Sequence, residues 1–573
     1  MARAEAVPAR WEFLPRNPEA EDVLCRELGV PRIVAAVLVS RGLHDPADAE
    51  RFLKPDLSQL HSPWLLPDIR EAVEVLAWAR ENKAPIFVHG DYDVDGVTST
   101  SLFTRFLRKI GCEVRPHVPH RVNEGYGIHP DTVVAAHAAG AQVLLTCDCG
   151  SGAYEPIKAA RELGMRVVVT DHHQIERKMP DAHAIVNPQR EGHDYPWKEL
   201  AGVGVALKVG AAMAEEIGAP VDKYYRAYMD FAALGTIADL MPLIDENRVI
   251  ASLGLARMSE PQKVGLRALK EVARIERSAE VTARHVGFLL GPRINAAGRI
   301  DDPTVALKLL TSECMEECTQ LAMHLDEVNE RRRAEQKDAV EQAVEAVLEQ
   351  EQGDRPIIFV TSSEWHQGIV GLVAGRLLEQ FRRPAFAASI HNGTARGSAR
   401  SLPGFDVGAA LRGMDDILES GGGHELAAGF TVQTERLDDL RAGLERRASE
   451  SLSEDDYAPR LKLTAMLEAS EASPEFGEAL QTLEPFGQGN PKPIFGVRGL
   501  RLTGVKPTSK PEHAWARFKF GNQTVQGIAF GQAEALGTIK VGTSVEAAVE
   551  MDVDDFRGTR NYKWLVRDVR TSS

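Results

Sequence analysis

Short apolar runs and longer amphipathic stretches take turns along much of this chain, and their alternation predicts its architecture. The runs "APIFVHG" (84–90), "AQVLLTCDCG" (141–150), "MRVVVTDHH" (165–173) and "AHAIVNP" (182–188) are short and β-rich. Between them, "SLFTRFLRKIG" and "YEPIKAARELG" repeat apolar residues at helical spacing. Strand–helix alternation of this kind implies right-handed crossovers and a parallel sheet. Residues 1–70 read as helices and loops, with "PRIVAAVLVSRGL" periodic and Asp45 and Asp48 as helix starts. Residues 316–351 read as one long charged helix. Its two ends carry Leu321, Leu325, Val328, Val340, Val344 and Val347, while "NERRRAEQKD" between them has no large apolar residue and should be solvated, bridging two bodies. A second strand–helix pattern fills 352–455. From 456 to 573 the texture is mostly β, with Gly and Pro between short strands, which suggests a small barrel or sandwich. The expected segments are thus 1–70, 71–315, 316–351, 352–455 and 456–573.

Length and composition narrow the class. A chain of 573 residues exceeds one core. Apolar content of 43% and charged content of 26% fit a soluble globular protein, and no apolar run reaches the ~18 residues that suggest a membrane span. The opening residues lack an apolar signal core, and six scattered cysteines fit a reducing compartment; both predict a cytoplasmic protein without membrane attachment. Cys147 and Cys149 lack a second pair at zinc-ribbon spacing. The net charge of −16 argues against a surface coated for nonspecific nucleic-acid binding. From Leu461 onward, however, 14 basic residues balance 13 acidic ones, so the deficit lies upstream.

Much of that acid is concentrated at strand ends. The first run leads into "HGDYDVDG", the second ends at Asp148, the third at Asp171, His172 and His173, and the fourth at Asn187. In an open parallel sheet, ligands bind outside the carboxyl ends of the strands. Loops are polar anyway, which would account for Asn187, but not for "HGDYDVDG" and "DHH" together. An EF-hand is excluded: counting from Asp91, its twelfth position would be Leu102 rather than a bidentate Glu. Hard carboxylate oxygens with imidazole nitrogens suit Mn²⁺ or Mg²⁺. His89, Asp93, Asp95, Asp148, His172, His173 and Asp239 offer enough ligands for two ions, with Asp148 able to bridge. Such pairs serve phosphoester hydrolysis. Asp239 lies in the apolar stretch "GTIADLMPL", where either a metal or a helix N-terminus would relieve its charge.

"HGDYDVDG", "CDCG", "DHH" and "GTIADLMPL", in that order, resemble the DHH phosphoesterase superfamily. "EGYGIH", "GPRINAAGRIDD", "WHQGIVGLVAGRL", "GSARS", "GGGHELAAGF" and "LEPFGQGNP" narrow the resemblance to its bacterial exonucleases that degrade single-stranded DNA 5′→3′, over residues 70–570. The resemblance implies an α/β fold: a parallel-sheet DHH domain, joined by the long helix to a DHHA1 α/β domain, plus a C-terminal OB-fold β-barrel gripping single-stranded DNA. It implies one ion on His89 and Asp93, a second on Asp95, His172 and Asp239, and Asp148 between them. Asp93 and Asp95 thereby join His173 as catalytic residues, His173 lying beside the scissile phosphate as ligand or proton donor. The implied substrate is single-stranded DNA with a free 5′ end, and a single-strand-binding protein and a helicase are candidate partners of a monomer acting in DNA repair and recombination.

The later motifs agree with that reading. Arg293 and Arg299 stand among small residues in "GPRINAAGR", and Arg396, Ser398 and Arg400 in "RGSARS"; the arginine fork suits phosphate oxygens. Arg293, Ser398 and Arg400 are candidates for a 5′-phosphate pocket, although each arginine could instead pair with one of the many acids. His424 lies on a glycine run and could contact a DNA backbone. Trp365 could stack on a base, but core is the simpler reading. In "ARFKFG", period two puts Arg517 and Lys519 on one face and Phe518 and Phe520 on the other. The basic pair then faces DNA; Arg557, Arg560 and Lys563 extend the charge. Two alternatives remain: a small-substrate enzyme for short oligonucleotides or cyclic dinucleotides, which needs no β domain after 455, and a non-catalytic DNA-binding scaffold, which needs no metal ligands.

Overall fold

The structure is a computed structural model that describes residues 9–121, 124–125, 127–175, 178–556 and 559–572. The chain divides into two compact units. One comprises Lys54–Glu335 with Pro485–Pro491, the other Met1–Leu53, Gln336–Glu484 and Lys492–Ser573.

The first unit is built on a five-stranded, all-parallel sheet. Its strands run in the order Val114–His117, Ile86–His89, Val143–Cys147, Arg166–Thr170, Ala184–Val186. Both faces are covered, as a parallel sheet requires. Val143, Leu145 and Cys147 point into a core with Phe103, Leu107 and Leu207, whereas Leu144 points to the opposite core with Val133 and Ile157. Val114–His117 is an edge strand that the hydrophobic pattern did not reveal: its four residues include Pro116 and two charged or titratable side chains. Two helices behind the sheet, Gly202–Glu216 and Val221–Ala238, are apolar on nearly every side and buried accordingly.

The long helix spans Met315–Glu349, close to the expected 316–351. Residues 330–338 are largely solvated, as expected, and the boundary between the units falls at Glu335/Gln336. Its C-terminal half buries Ala339, Ala343 and Val347 more deeply than Val340 and Val344.

In the second unit a mixed sheet runs Leu418–Gly423, Ala427–Gln433, Thr394–Arg400, Ala385–His391, Ile358–Ser362; only the last two pair in parallel, around the helix Val370–Phe381. Beyond it, the strands Phe495–Pro507, Ala514–Phe520, Gln523–Ala529, Thr559–Thr571 and Ser544–Phe556 pair in succession and close through pairing of the first with the last, giving a five-stranded barrel. The N-terminal segment is not only helices and loops. Arg10–Phe13 forms a strand paired in parallel with Arg460–Leu463, and Trp11 Nε1 donates to Asp568 at 2.7 Å. A four-residue strand completed by a segment hundreds of residues away leaves no periodicity of its own. No helix among the described residues is long and apolar enough to cross a membrane.

Candidate metal centre

The carboxyl edge of the parallel sheet collects the acids. His89 ends one strand; Asp93 caps the helix Val94–Lys109, its side chain accepting the Gly96 N–H at 3.1 Å, and Asp95 lies in the first turn. Asp148 follows the strand Val143–Cys147 with a left-handed backbone, φ 61°, a strained conformation for a non-glycine that turns its carboxylate to the sheet edge. Asp171 follows Arg166–Thr170. Asp239 is the C-cap of Val221–Ala238, not at a helix N-terminus as one reading of its apolar context allowed. That end of a helix disfavours an anion, so the helix does not relieve the charge.

His172 is the hub. Its Nε2 lies 3.1 Å from Asp148, 3.7 Å from Asp239 and 3.8 Å from Asp95. Three ligand-spaced groups result: Asp95, His172 and Asp239; Asp148, His172 and His173; and Asp91, Asp93 and Asp148. The first is the set expected for one ion. In the third, Asp91 stands where His89 was expected, and Asp148 belongs to two groups, as a bridge would. His89 is in none of them; it is fully buried, its Nε2 3.2 Å from Gly127 O and its ring stacked on His117. Burial and then His117 lower its pKa to about 3, so it is neutral and its Nδ1, which has no hydrogen-bond partner among the described residues, is a lone-pair donor.

The electrostatics show an arrangement lacking positive charge. Burial raises the Asp148 carboxyl well above the carboxylate range, and Asp95, Asp93 and Asp239 push the same way. Burial and then Asp93 do the same to Asp91. Among the described residues, buried Asp91 Oδ1 finds no hydrogen-bond donor, and Asp148 Oδ1 has the His172 ring nitrogen at 3.1 Å but no contact in hydrogen-bond geometry. Orphaned carboxylate oxygens in a cluster of raised acids fit divalent cations, which would replace the missing protons.

Two features steady the cluster. Asp95 accepts the N–H groups of Gly202 and Val203 at 2.7 and 2.8 Å, at the start of Gly202–Glu216. That helix approaches so closely that a Cβ on Gly202 would lie 2.6 Å from Asp148 Cβ. The second feature escaped the sequence. Asn295, on the helix Gly291–Ile300, accepts the Val94 N–H between Asp93 and Asp95 at 3.1 Å, and Gly298 lies against Tyr92 O. "GPRINAAGR" thus buttresses the aspartate loop. Its Arg293 is bound to Asp326, 2.7–2.9 Å, and to Leu289 O, the acid pairing weighed against a phosphate role. Arg299, in the last turn, adds its charge to the surroundings of Tyr92, over whose ring Arg121 sits at 5.1 Å.

His173 shares a ligand-spaced group with Asp148 and His172, but it also has a carboxylate partner of its own. Its Nδ1 is 2.7 Å from Asp171 Oδ1, while Asp171 also accepts the N–H groups of Ser151, His172 and His173. Burial opposes the imidazolium, but the Asp171 hydrogen bond and charge outweigh it and raise the His173 pKa to about 9. Asn187, at the fourth strand end, donates to His173 O at 2.9 Å, so it braces the motif rather than being a mere loop residue.

In the second unit, Arg396, Ser398 and Arg400 alternate along Thr394–Arg400 and share one face. A Cβ on Gly371, in the first turn of Val370–Phe381, would meet Ser398 Oγ at 3.2 Å and an Arg400 guanidinium nitrogen at 3.3 Å, so helix N-terminus, hydroxyl and cation converge. Arg293 belongs to the other unit. His424 is exposed beside Gly423, in the turn before Ala427–Gln433. Trp365 is buried and donates to Gln342, a core role. On the barrel, Arg517 and Lys519 are exposed and Phe518 is fully buried, as period two required, while Phe520 is half-buried. Arg557 lies outside the described residues, as does the side chain of Arg560; Lys563 is half-buried.

Comparison with known proteins places this geometry. The DHH family N-terminal domain matches residues 85–236, the DHHA1 domain 354–450 and the RecJ OB domain 464–568. The single-stranded-DNA-specific exonuclease RecJ of Bacillus subtilis (strain 168) is 34% identical across 98% of this chain and 71% of its own length. RecJ of Escherichia coli (strain K12) is 32% identical across 97% of this chain and 98% of its own. The crystal structure of RecJ from Thermus thermophilus in complex with Mn²⁺ matches with a TM-score of 0.85 at 30% identity, covering 99% of this chain and 80% of that one. A further structure of that protein holds Mg²⁺. With its three domains matched in order and its relatives aligned across nearly the whole of this chain, the chain belongs to the RecJ family.

Proposed function

We propose that the chain is a metal-dependent exonuclease that hydrolyses single-stranded DNA from its 5′ end to 5′-mononucleotides. The observation that carries this reading is the pocket of mutually raised carboxylates around His172 Nε2, on a chain whose relatives are named single-stranded-DNA-specific exonucleases. Asp95, His172 and Asp239 would hold one divalent ion, Mn²⁺ or Mg²⁺; Asp93, with Asp91 or His89, would hold the other, and Asp148 would serve both. When bound, such a pair supplies an activated water and neutralises charge in an in-line phosphoryl displacement.

The chain's own residues do the rest. Asp171 orients the His173 ring through Nδ1 and keeps it charged, so Nε2 donates toward a phosphate oxygen or the leaving 3′-oxygen. Gly202 and Val203 N–H groups hold both oxygens of Asp95 against rotation. Ser398 and Arg400, at a helix N-terminus, suit a terminal 5′-phosphate; Arg396 shares their face, and Arg293 and Arg299 lie near the aspartate loop. Arg517 and Lys519 on the barrel, with His424, suit a DNA backbone. The barrel is what a small-substrate enzyme would not need, and the full ligand set is what a scaffold would not need.

A single chain carries all these elements, which supports action as a monomer in repair and recombination, with a single-strand-binding protein and a helicase as partners. Six free cysteines support a cytoplasmic location. The test is an oligonucleotide labelled at either end, with Mn²⁺ or with EDTA, beside Asp95→Ala. Metal-dependent mononucleotide release from the 5′ end, lost in the variant, is expected. Tight binding without release under any metal would defeat the enzyme reading.

A further inference from the structure

Two contacts define the buried ring of His89, at the end of the strand Ile86–His89. Its Nε2 lies 3.2 Å from Gly127 O. A carbonyl oxygen only accepts, so this contact requires the proton on Nε2. The neutral ring then carries its lone pair on Nδ1, the atom left without a hydrogen-bond partner among the described residues. That is the arrangement in which a histidine offers one nitrogen to a metal while a carbonyl holds the other. The second contact is with His117, whose ring stacks on that of His89 with centroids 5.2 Å apart and planes 30° apart.

His117 ends the edge strand Val114–His117, directly beside His89 in the parallel register. Its ring also stacks on Phe87, at 5.7 Å and 24°. Phe87 and His89 stand two residues apart on one strand and so share a face, and His117 lies against both. Glu124 holds it there. One carboxylate oxygen, Oε2, is 3.1 Å from His117 Nε2, and the other accepts the His120 N–H at 2.8 Å. The turn that carries Glu124 is closed by the Glu124 and Gly125 N–H groups on His120 O, at 2.7 and 3.3 Å. Contacts therefore run from an anchored carboxylate to a half-buried imidazole and on to the buried one. Neither Glu124 nor His117 is in a ligand-spaced group among the described residues. The single hydrogen bond to Gly127 O sets one nitrogen of His89 but holds the ring plane loosely; a stacked ring fixes that plane.

We propose that Glu124 and His117 are positioning residues for the metal centre: Glu124 clamps the His117 ring, and His117 keeps the His89 imidazole in the plane that leaves Nδ1 open to a divalent ion. The inference rests on the two-ion reading above and deepens it. Both residues act through His89, without touching an ion themselves.

The test titrates the full chain with Mn²⁺ in the absence of DNA, following free and bound ion by electron paramagnetic resonance. The wild-type protein is expected to take two ions. His117→Ala and Glu124→Ala are each expected to weaken one of the two sites by about 10- to 100-fold, the range for a lost partner of a metal ligand, and to leave the other at its wild-type affinity. His117→Phe keeps a ring to stack on His89 but gives Glu124 nothing to hold. It should bind both ions as the wild type does, and adding Glu124→Ala to it should change nothing further. Unchanged affinities in both alanine variants, or equal weakening of both sites, would overturn the positioning role. So would a loss from Glu124→Ala that is as large in the His117→Phe background as in the wild type. A wild-type protein that takes fewer than two ions would instead overturn the two-ion reading beneath it.

Discussion

Asp171 Oδ1 lies 2.7 Å from His173 Nδ1 and at the same time accepts the His172 N–H at 2.8 Å, so one carboxylate sets both histidines of the motif. Asp171 is in none of the ligand-spaced groups among the described residues. Its work is on its neighbours.

Asp171→Asn therefore removes the anion that raises the His173 pKa to about 9. The imidazole then loses its proton at lower pH. The alkaline limb of kcat/KM against pH is expected to move down, and activity at pH 8 to fall about 10²- to 10⁴-fold, the range for loss of an acid–base contribution. A profile with an unmoved alkaline limb would contradict the role given to His173.

Asn295 touches no ligand, but it receives the Val94 N–H between two of them. Asn295→Ala is expected to raise the half-saturating Mn²⁺ concentration and lower kcat by about 10- to 100-fold, as losses around a metal site commonly do. KM for DNA should stay within twofold of wild type. Titrating activity against Mn²⁺ checks it.

Gly202→Ala places a methyl 2.6 Å from Asp148 Cβ. The helix Gly202–Glu216 must retreat, taking with it the two N–H groups on Asp95. A loss of about 1–3 kcal/mol in urea unfolding is expected for overpacking, together with weaker metal binding.

The acids give the metal-free protein a pH dependence of definite sign. Burial and then Asp93 raise Asp95 from 3.8 to about 7, burial and then Asp95 and Asp93 raise Asp239 from 3.8 to about 8, and His173 is raised from 6.5 to about 9. Between the unfolded and folded values the folded chain holds more protons, so stability falls as pH rises. His89, lowered from 6.5 to about 3, has the opposite sign, but only below 6.5. From pH 6.5 to 9 the three raised groups therefore lower stability as pH rises. In EDTA, Tm is expected to be lower at pH 8.5 than at pH 6.5. Mn²⁺ should raise it more at the higher pH, where protons no longer compete with the ion for the carboxylates. Equal shifts at both would contradict the clustered-acid account.

The site was legible because its chemistry lies at strand ends. Asp148 closes a short apolar run and the DHH triplet a run of β-branched residues, and a parallel sheet sends all such ends to one edge. Arg517 and Lys519 were legible from period two. What could not be read is what depends on distant partners. Asn295 lies 201 residues from the amide that it receives. The segment Pro485–Pro491, counted by texture with the barrel domain, packs with the catalytic unit, where Leu243 N–H donates to Gln488 O at 2.7 Å. Asp91 was visible in "HGDYDVDG", but its approach to Asp93 and Asp148 depends on how the loop turns between strand and helix, which spacing alone does not fix.

The account turns on two divalent ions in one pocket, and an anomalous difference map from crystals grown in MnCl₂ tests that directly. Two peaks about 3.5–4 Å apart, one against Asp95, His172 and Asp239 and one against Asp93, with Asp148 reaching both, is the expected result. No peak, or a single peak away from Asp148, would contradict it.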